Sequence, residues 1–223
     1  MLATGLALLG FFATAEAHFK LNVPASLTQQ SSFGDPQKAA PCGGAGTATN
    51  MVTAVQSGAM LTISLDETVF HPGHYRVAVA QTAAGLPAAP TVANAQCNGL
   101  QPSANPMMPV LADGLLAHTS PLSGTQSMQV MIPAGMTCTN CVLQVLQYMA
   151  QHGQPCFYYH CATVNISPNA PPPVDAGVDP GADAGVSPTD PGGGCCSSAG
   201  GGTATTGLLG GLAFGLLLRR RRR

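Results

Sequence analysis

Short segments in which apolar and polar residues alternate recur along this chain, and they constrain its fold more than any other feature. Alternation over four to eight residues is typical of a strand with one buried face. No stretch keeps the 3.6-residue period of an amphipathic helix, and the one short helix we expect covers residues 114–118. The pattern predicts an all-β fold, an antiparallel sandwich with long loops. The predicted strands are residues 60–65, 74–80, 127–132, 142–149 and 157–166.

Cysteines give a second constraint. Six of them precede residue 170, and an even count in an exported chain indicates up to three disulfides. Spacing alone leaves the pairing open, and the Cys-x-x-Cys segment could alternatively bind zinc or act as a redox pair. The six are Cys42, Cys97, Cys138, Cys141, Cys156 and Cys161.

The amino-terminal segment is typical of an exported protein. Residues 2–12 are apolar, and Ala15-Glu16-Ala17 has the small-x-small form of a signal-peptidase site. Residues 1–17 are therefore predicted to be a signal peptide, and the mature chain would begin with His18. An N-terminal histidine offers its α-amine and its imidazole Nδ1, so that one further imidazole completes a three-nitrogen site suited to copper.

The carboxy-terminal segment is organised in three parts. Residues 169–194 are rich in Pro, Ala, Asp and Gly, which predicts a disordered linker. Cys195-Cys196, an apolar stretch over residues 203–218 and five arginines at 219–223 follow. A membrane-spanning segment held by the arginines is expected, and a basic nucleic-acid tail is the alternative. This tail resembles the MYXO-CTERM sorting signal of myxobacteria. The resemblance implies handling by the envelope sorting machinery, with processing or lipid attachment at Cys195 or Cys196.

Removing both ends leaves residues 18–168, which is one domain by length. Only 8% of all residues are charged, the formal net charge is −1, and five of the eight basic residues lie in the tail. This composition indicates no nucleic-acid partner.

Two histidines, His71 and His74, flank a Pro-Gly turn just before a predicted strand. A turn that leads into a strand is a rigid place for a ligand, although a histidine there can also be an ordinary surface residue. Either one could be the second imidazole beside His18.

Five segments in order resemble the lytic polysaccharide monooxygenases, in particular a myxobacterial group of monooxygenase-like proteins. They are His18-Phe19-Lys20-Leu21, Pro41-Cys42-Gly43-Gly44, the segment from His71 to Arg76, the segment from Cys138 to Gln144, and the segment from Tyr158 to Ile166.

The resemblance implies an immunoglobulin-like or fibronectin-III-like sandwich that holds one copper ion in a histidine brace. The expected ligands are His18 and His71, with His74 as the alternative to His71. Tyr158 is the expected axial residue, with Tyr159 in reserve. The candidates for a second shell around the metal are His74, His160 and Gln144.

The activity that the resemblance implies is oxidative cleavage of a chitin- or cellulose-like polysaccharide at C1 or C4, with an external electron donor and O₂ or H₂O₂. Thr163 stands where relatives usually have Asp, so catalysis is less well supported than copper binding. The chain has no Trp and four Tyr, which leaves few aromatics to stack on sugars. A copper-binding or copper-transfer protein and a structural or adhesive surface domain are the alternatives. The expected location is the cell surface or outer membrane of a Gram-negative bacterium, or the medium after the tail is processed.

Overall fold

Two β-sheets make up the described part of the chain, which is residues 18–171 of a computed structural model. The three-stranded sheet has the order β1-β3-β6 and the five-stranded sheet the order β2-β8-β7-β4-β5. A 3₁₀ turn covers Ala83–Gly85. The strands are β1 His18–Val23, β2 Val52–Gln56, β3 Met60–Val69, β4 Gly73–Ala80, β5 Val110–His118, β6 Thr125–Met131, β7 Cys138–Met149 and β8 Phe157–Ser167.

The predicted all-β, immunoglobulin-like sandwich is confirmed, with one exception to antiparallel pairing. All named strand pairs in residues 18–171 are antiparallel except β2 and β8, which run parallel with Val52 opposite Thr163. Residues 24–51 connect β1 to β2 across the two sheets. The paired strands β2 and β8 are separated by residues 57–156, so no tight hairpin turn imposes an antiparallel direction on them.

The helix expected over residues 114–118 is wrong, because these residues form the end of β5. The alternation that would have revealed the strand is interrupted by irregular pairing with β4. Gly114 and Leu116 have φ angles of +73° and +48°, and such left-handed residues within a strand produce bulges. The burial pattern of β5 therefore lacks the period of two from which the other strands were predicted.

The core lies between the two sheets and is built from alternate residues of the strands. On β7 and β8 every second side chain points to this inner face, and the intervening side chains cover a smaller outer cluster. The largest fully buried side chains include Tyr75, Tyr158, Phe19, Leu21, Ile63, Leu65 and Leu143.

Three disulfides form among the six cysteines, as predicted. The pairs are Cys42–Cys161, Cys97–Cys156 and Cys138–Cys141. The Cys-x-x-Cys segment is therefore a local bridge.

The leader at 1–17, most of the linker at 169–194, Cys195 and Cys196, the apolar stretch at 203–218 and the arginines at 219–223 lie outside the described residues. Within residues 18–171, no helix has the length and apolar character needed to cross a membrane.

Candidate metal centre

His18 begins β1 and is buried at the end of the sandwich, with 4% of its surface exposed. Its ring lies 5.4 Å from the ring of Tyr158 and 6.2 Å from that of Phe33. Its Nε2 is 3.4 Å from Oδ2 of Asp35. A carboxylate at Nε2 favours the tautomer with the proton there, which leaves the Nδ1 lone pair for a metal.

The loop that carries Phe33 and Asp35 is held against β1 by a buried glutamine. Gln37 Oε1 accepts a hydrogen bond of 3.1 Å from the backbone N–H of Phe19, and its Nε2 donates one of 3.2 Å to the carbonyl of Phe33. Gly34 is required at this approach, because a Cβ there would lie 2.0 Å from the carbonyl oxygen of Phe19. The surroundings of His18 are therefore formed by a loop whose residues lie 15 to 19 positions further along the chain.

His71 reaches the same end of the sandwich because of strand register. His18 pairs with Val69, the last residue of β3, so the turn that follows β3 emerges beside the start of β1. His71 lies in this turn and is 8% exposed. Gly73 lets the turn pass close to β7, because a Cβ there would lie 1.9 Å from the carbonyl oxygen of Tyr148.

The environment of His71 favours the neutral imidazole that metals bind. Burial lowers its pKa, the neighbouring His152 and His18 lower it further, and Glu67 partly opposes them. Its Nδ1 is buried without a hydrogen-bond partner. A buried ring nitrogen without a partner is costly unless something else pairs with it, so this residue fits a metal ligand.

Tyr158 and Tyr159 point to opposite faces of β8. Tyr158 lies on the inner face against His18, whereas Tyr159 packs in the outer cluster with Leu146 and Phe157. The structure thus brings the expected axial residue to His18 and places its reserve on the far side of the strand.

His74 also lies on the outer face, away from His18. Its Nε2 is 3.6 Å from Oδ1 of Asp113, and its ring lies 5.1 Å from that of Tyr148. Burial lowers its pKa, with Asp113 opposing the shift. Of the two histidines around the Pro-Gly turn, only His71 is brought to the end of the sandwich where His18 lies.

Of the other two candidates, His160 lies in the core beside Phe19 and Gln144 lies on the outer face of β7. His160 is fully buried in the core, where its ring lies 4.7 Å from that of Phe19 and its Nε2 donates to the Phe19 carbonyl at 3.0 Å. Gln144 faces outward and donates to the carbonyl of Pro41 at 2.8 Å. Neither position could be judged from the sequence without knowing which face of each strand is internal.

His152, to which the sequence gave no role, lies at the candidate centre. Its ring is 4.6 Å from that of His71 and 5.9 Å from that of Tyr158. Its Nδ1 faces the carbonyl of Gly153 at 2.9 Å, so the neutral ring carries its lone pair on Nε2. The sequence offered one indication of this place: His152 lies in the loop that leads directly into β8, the strand that carries Tyr158.

Gln147 is a second residue that the sequence analysis missed. It is fully buried on the inner face, and its register places it between Tyr75 of β4 and Tyr158 of β8. Both polar atoms of its amide are without a hydrogen-bond partner. Gln144 was considered instead, but it is three residues away along β7 and therefore faces the opposite side.

Thr163 bears less on this centre than the sequence comparison implied. It is five residues beyond Tyr158 on β8, about 16 Å along the strand, and on the opposite face. Its side chain therefore does not reach His18, and the missing Asp removes no group from the neighbourhood of His18.

A brace needs only two side chains, because one histidine supplies two of the three nitrogens. Within residues 18–171 no three His, Cys, Asp or Glu side chains are grouped so that they could hold a metal by themselves. If the predicted signal peptide is removed after Ala17, the α-amine and Nδ1 of His18 and one ring nitrogen of His71 would form a donor set that fits a copper ion.

Fold and site together define a disulfide-bonded β-sandwich with a cluster of buried imidazoles at one end. Residues 13–164 match the family described as lytic polysaccharide mono-oxygenase, cellulose-degrading. Because the match covers more than half of the chain, this protein belongs to the lytic polysaccharide monooxygenase family.

A lytic polysaccharide monooxygenase AA15 from Thermobia domestica in the Cu(I) state is 17% identical, with a TM-score of 0.49; the alignment covers 68% of this chain and 100% of that one. An AA10 lytic polysaccharide monooxygenase from Streptomyces lividans is 15% identical, with a TM-score of 0.35; the alignment covers 66% of this chain and 99% of that one. No curated protein sequence matches this chain.

Proposed function

We propose that this protein binds one copper ion through a histidine brace formed by His18 and His71. The single observation that supports this most is the convergence of His18, His71 and Tyr158 at one end of the sandwich, from β1, the β3–β4 turn and β8. The three are 53 or more residues apart in sequence, so the cluster is created by the fold. Export and removal of residues 1–17 would free the α-amine that completes the site.

Each neighbouring residue has a proposed task in this arrangement. Asp35 orients the His18 ring by accepting the Nε2 proton. Tyr158 covers one side of the centre, since its ring lies edge-on to that of His18. His152 and Gln147 are the proposed polar residues beside the reacting groups.

The reaction we propose is oxidative cleavage of a cellulose- or chitin-like polysaccharide at C1 or C4. Bound copper would supply one-electron redox chemistry toward O₂ or H₂O₂, with electrons from an external donor. The protein's own residues hold the nitrogen ligands, exclude water from the buried side through Tyr158 and leave the side near Phe33 and Asp35 open.

A copper-binding or copper-transfer role without sugar oxidation is the second candidate. One observation favours it: Phe33, at 58%, is the only aromatic side chain among the large exposed hydrophobics of residues 18–171. Sugar-binding faces commonly use several exposed aromatics. A structural or adhesive role would instead require that His18 and His71 meet by coincidence.

We also propose the chain organisation predicted from the sequence. Residues 18–168 form the exported domain, residues 169–194 a linker, and residues 195–223 a sorting tail that would deliver the domain to the cell surface. Mass spectrometry of the exported protein tests this directly, because it gives the first residue and any lipid or cleavage at Cys195 or Cys196.

The test of the centre is the Cu(II) electron paramagnetic resonance spectrum of the protein that begins with His18. An axial signal with nitrogen couplings is expected, and His71→Ala should abolish it. His74→Ala is the matched control, because it removes a buried histidine three residues away that faces the other side. A wild-type spectrum of free copper would reject both copper functions.

Incubation with cellulose or chitin and a reductant then separates the two copper functions. Oxidised oligosaccharides that disappear with His71→Ala indicate the monooxygenase. Tight copper binding without any soluble product indicates the carrier.

A further inference from the structure

A buried ion pair lies directly behind the turn that carries His71. Nε2 of His118, at the end of β5, is 2.8 Å from Oε1 of Glu67, near the end of β3. The two side chains are 6% and 1% exposed. Neither residue belongs to the brace, and both come from strands that end beside it.

Both ring nitrogens of His118 face an oxygen atom. Nδ1 lies 2.7 Å from the carbonyl oxygen of Leu116, and Nε2 faces an oxygen of Glu67. The two oxygens of Glu67 also accept hydrogen bonds from backbone N–H groups, and beside this carboxylate the ring of His118 donates from both nitrogens. Leu116 adopts a φ of +48°, a conformation that costs energy in a branched residue and accompanies this contact.

The pair contacts the turn on both sides of His71. Glu67 Oε1 lies 3.5 Å from the backbone nitrogen of His71, and the ring of Phe70 lies 6.0 Å from that of His118. His118 is also the register partner of Gly73, where β4 begins. The Glu67–His118 pair thus contacts Phe70 and the backbone of His71, and it pairs in register with Gly73.

Glu67 is in addition linked to β1 and to the β5–β6 connection. It pairs in register with Phe19, the residue after His18, and its Oε2 accepts a hydrogen bond of 3.0 Å from the backbone N–H of Leu122. Glu67 is therefore paired through its backbone with the residue after His18, while its carboxylate reaches the backbone of His71 and of the β5–β6 connection.

We propose that Glu67 and His118 are positioning residues that hold the His71 turn in the conformation in which its ring meets His18. This inference rests on the proposed function for the role of His71 as a ligand. Desolvating two charges offsets much of their attraction, so a buried ion pair is weak support for stability alone. The pair instead fixes one conformation of the turn that carries His71. An apolar pair of the same size could not do this, because it could not accept the hydrogen bond from the backbone of His71.

The test compares Glu67→Gln and His118→Gln with a matched control, His74→Gln. The control removes the other contact between a buried histidine and a carboxylate, with Asp113, on the face away from the turn. Thermal unfolding without copper measures stability, and copper competition titration and the Cu(II) resonance spectrum measure the site. The chain carrying each variant begins with His18 and is otherwise complete.

We expect both variants at the pair to weaken copper affinity by about 10- to 100-fold, the usual range for an outer-shell partner of a metal histidine, and to change the nitrogen couplings. His74→Gln should lower the unfolding temperature without either effect. The double variant Glu67→Gln/His118→Gln keeps a neutral amide pair in the same place and should recover part of the affinity, which loss of stability alone would not produce.

Unchanged affinity and couplings in folded Glu67→Gln would overturn the proposal. A wild-type protein without bound copper would instead reject the proposed function, and the positioning would then be measured on the metal-free protein. In that case ¹⁵N NMR of His71 should show one sharp ring environment in the wild type and exchange broadening in Glu67→Gln. Equal line widths in the two proteins would reject the positioning as well.

Discussion

Acid should destabilise this protein through His160, a histidine that links the start of β1 to β8. The side chain is fully buried, donates from Nε2 to the carbonyl of Phe19, and leaves Nδ1 without a partner. Burial is the main cause that lowers the pKa of His160, from 6.5 to about 4. Protonation would place a positive charge on a nitrogen that has no acceptor in the core.

The sign and size of the effect follow from linkage between protonation and folding. The folded pKa lies below the unfolded value, so the unfolded chain binds more protons between pH 6.5 and 4. Stability is therefore full above pH 6.5, falls as the pH drops, and levels off below about pH 4. Between pH 7 and pH 4.5 a shift of this size costs about 2.5 kcal/mol of unfolding free energy.

Urea denaturation of the metal-free, disulfide-intact protein at pH 7 and pH 4.5 measures this loss, compared with His160→Gln. The variant keeps an N–H donor for Phe19 but does not titrate. Other histidines also contribute: His71 and His74 act in the same direction as His160, and His118, whose pKa is raised by hydrogen bonds that outweigh its burial, acts in the opposite direction.

Only the difference between the two proteins is therefore assigned to His160. The wild type should lose about 2 to 2.5 kcal/mol more than His160→Gln over this interval. Equal losses in the two proteins would refute the reasoning and would mean that His160 has a partner for its charged form.

Three further predictions concern the inner face and the surface near His18. Tyr75→Phe should raise the unfolding free energy by about 1 kcal/mol in urea denaturation, because the buried hydroxyl has no hydrogen-bond partner; a loss of stability would reveal a bound partner such as water. Gly73→Ala should cost more than about 2 kcal/mol in the same assay, since its Cβ would meet the carbonyl of Tyr148. Gly124→Ala, at φ +68° with open space around it, is the control and should cost about 1 kcal/mol or less. Phe33→Ala should reduce adsorption to cellulose in a pull-down assay while leaving the Cu(II) spectrum unchanged, because its ring is exposed, lies 6.2 Å from that of His18 and carries no metal-binding atom. Unchanged adsorption would exclude Phe33 from sugar binding.

Much of the fold could be predicted because five strands bury one face against the other sheet and so show a period of two. Of the three strands missed, one carries that signal and two lack it for a physical reason. The first, His18–Val23, alternates from Phe19 to Val23, but it is short and its pairing shifts register after His18 and after Leu21. The edge strand Val52–Gln56 has only one fully buried residue. In Val110–His118, left-handed residues break the alternation.

Disulfide pairing was beyond the sequence for a different reason. The bridges join residues 119, 59 and 3 positions apart, and only the packed sheets determine which cysteines become neighbours. The even number of cysteines and the predicted export of the chain indicate that disulfides form, but not which cysteines pair.

At the candidate centre, the two ambiguities that the sequence left open and the glutamine that it missed share one cause. His71 and His74, Tyr158 and Tyr159, and Gln144 and Gln147 each lie within three residues of one another, and each pair contains one residue on the inner side and one on the outer. The two tyrosines differ by one strand position and the two glutamines by three, and any odd separation along a strand reverses the face.

A sequence motif does not reveal which positions face inward, whereas the register between β4, β7 and β8 does. Tyr75, Gln147 and Tyr158 are opposite one another across these three strands. If one of them is known to face inward, the other two must face inward as well. That single assignment selects Tyr158 over Tyr159 and Gln147 over Gln144. It also turns the side chain of His74, next to Tyr75, outward. His71 is then the only histidine of the β3–β4 turn at the end of the sandwich that His18 shares, and for this reason the copper proposal depends on the register of these strands as much as on the identity of the histidines.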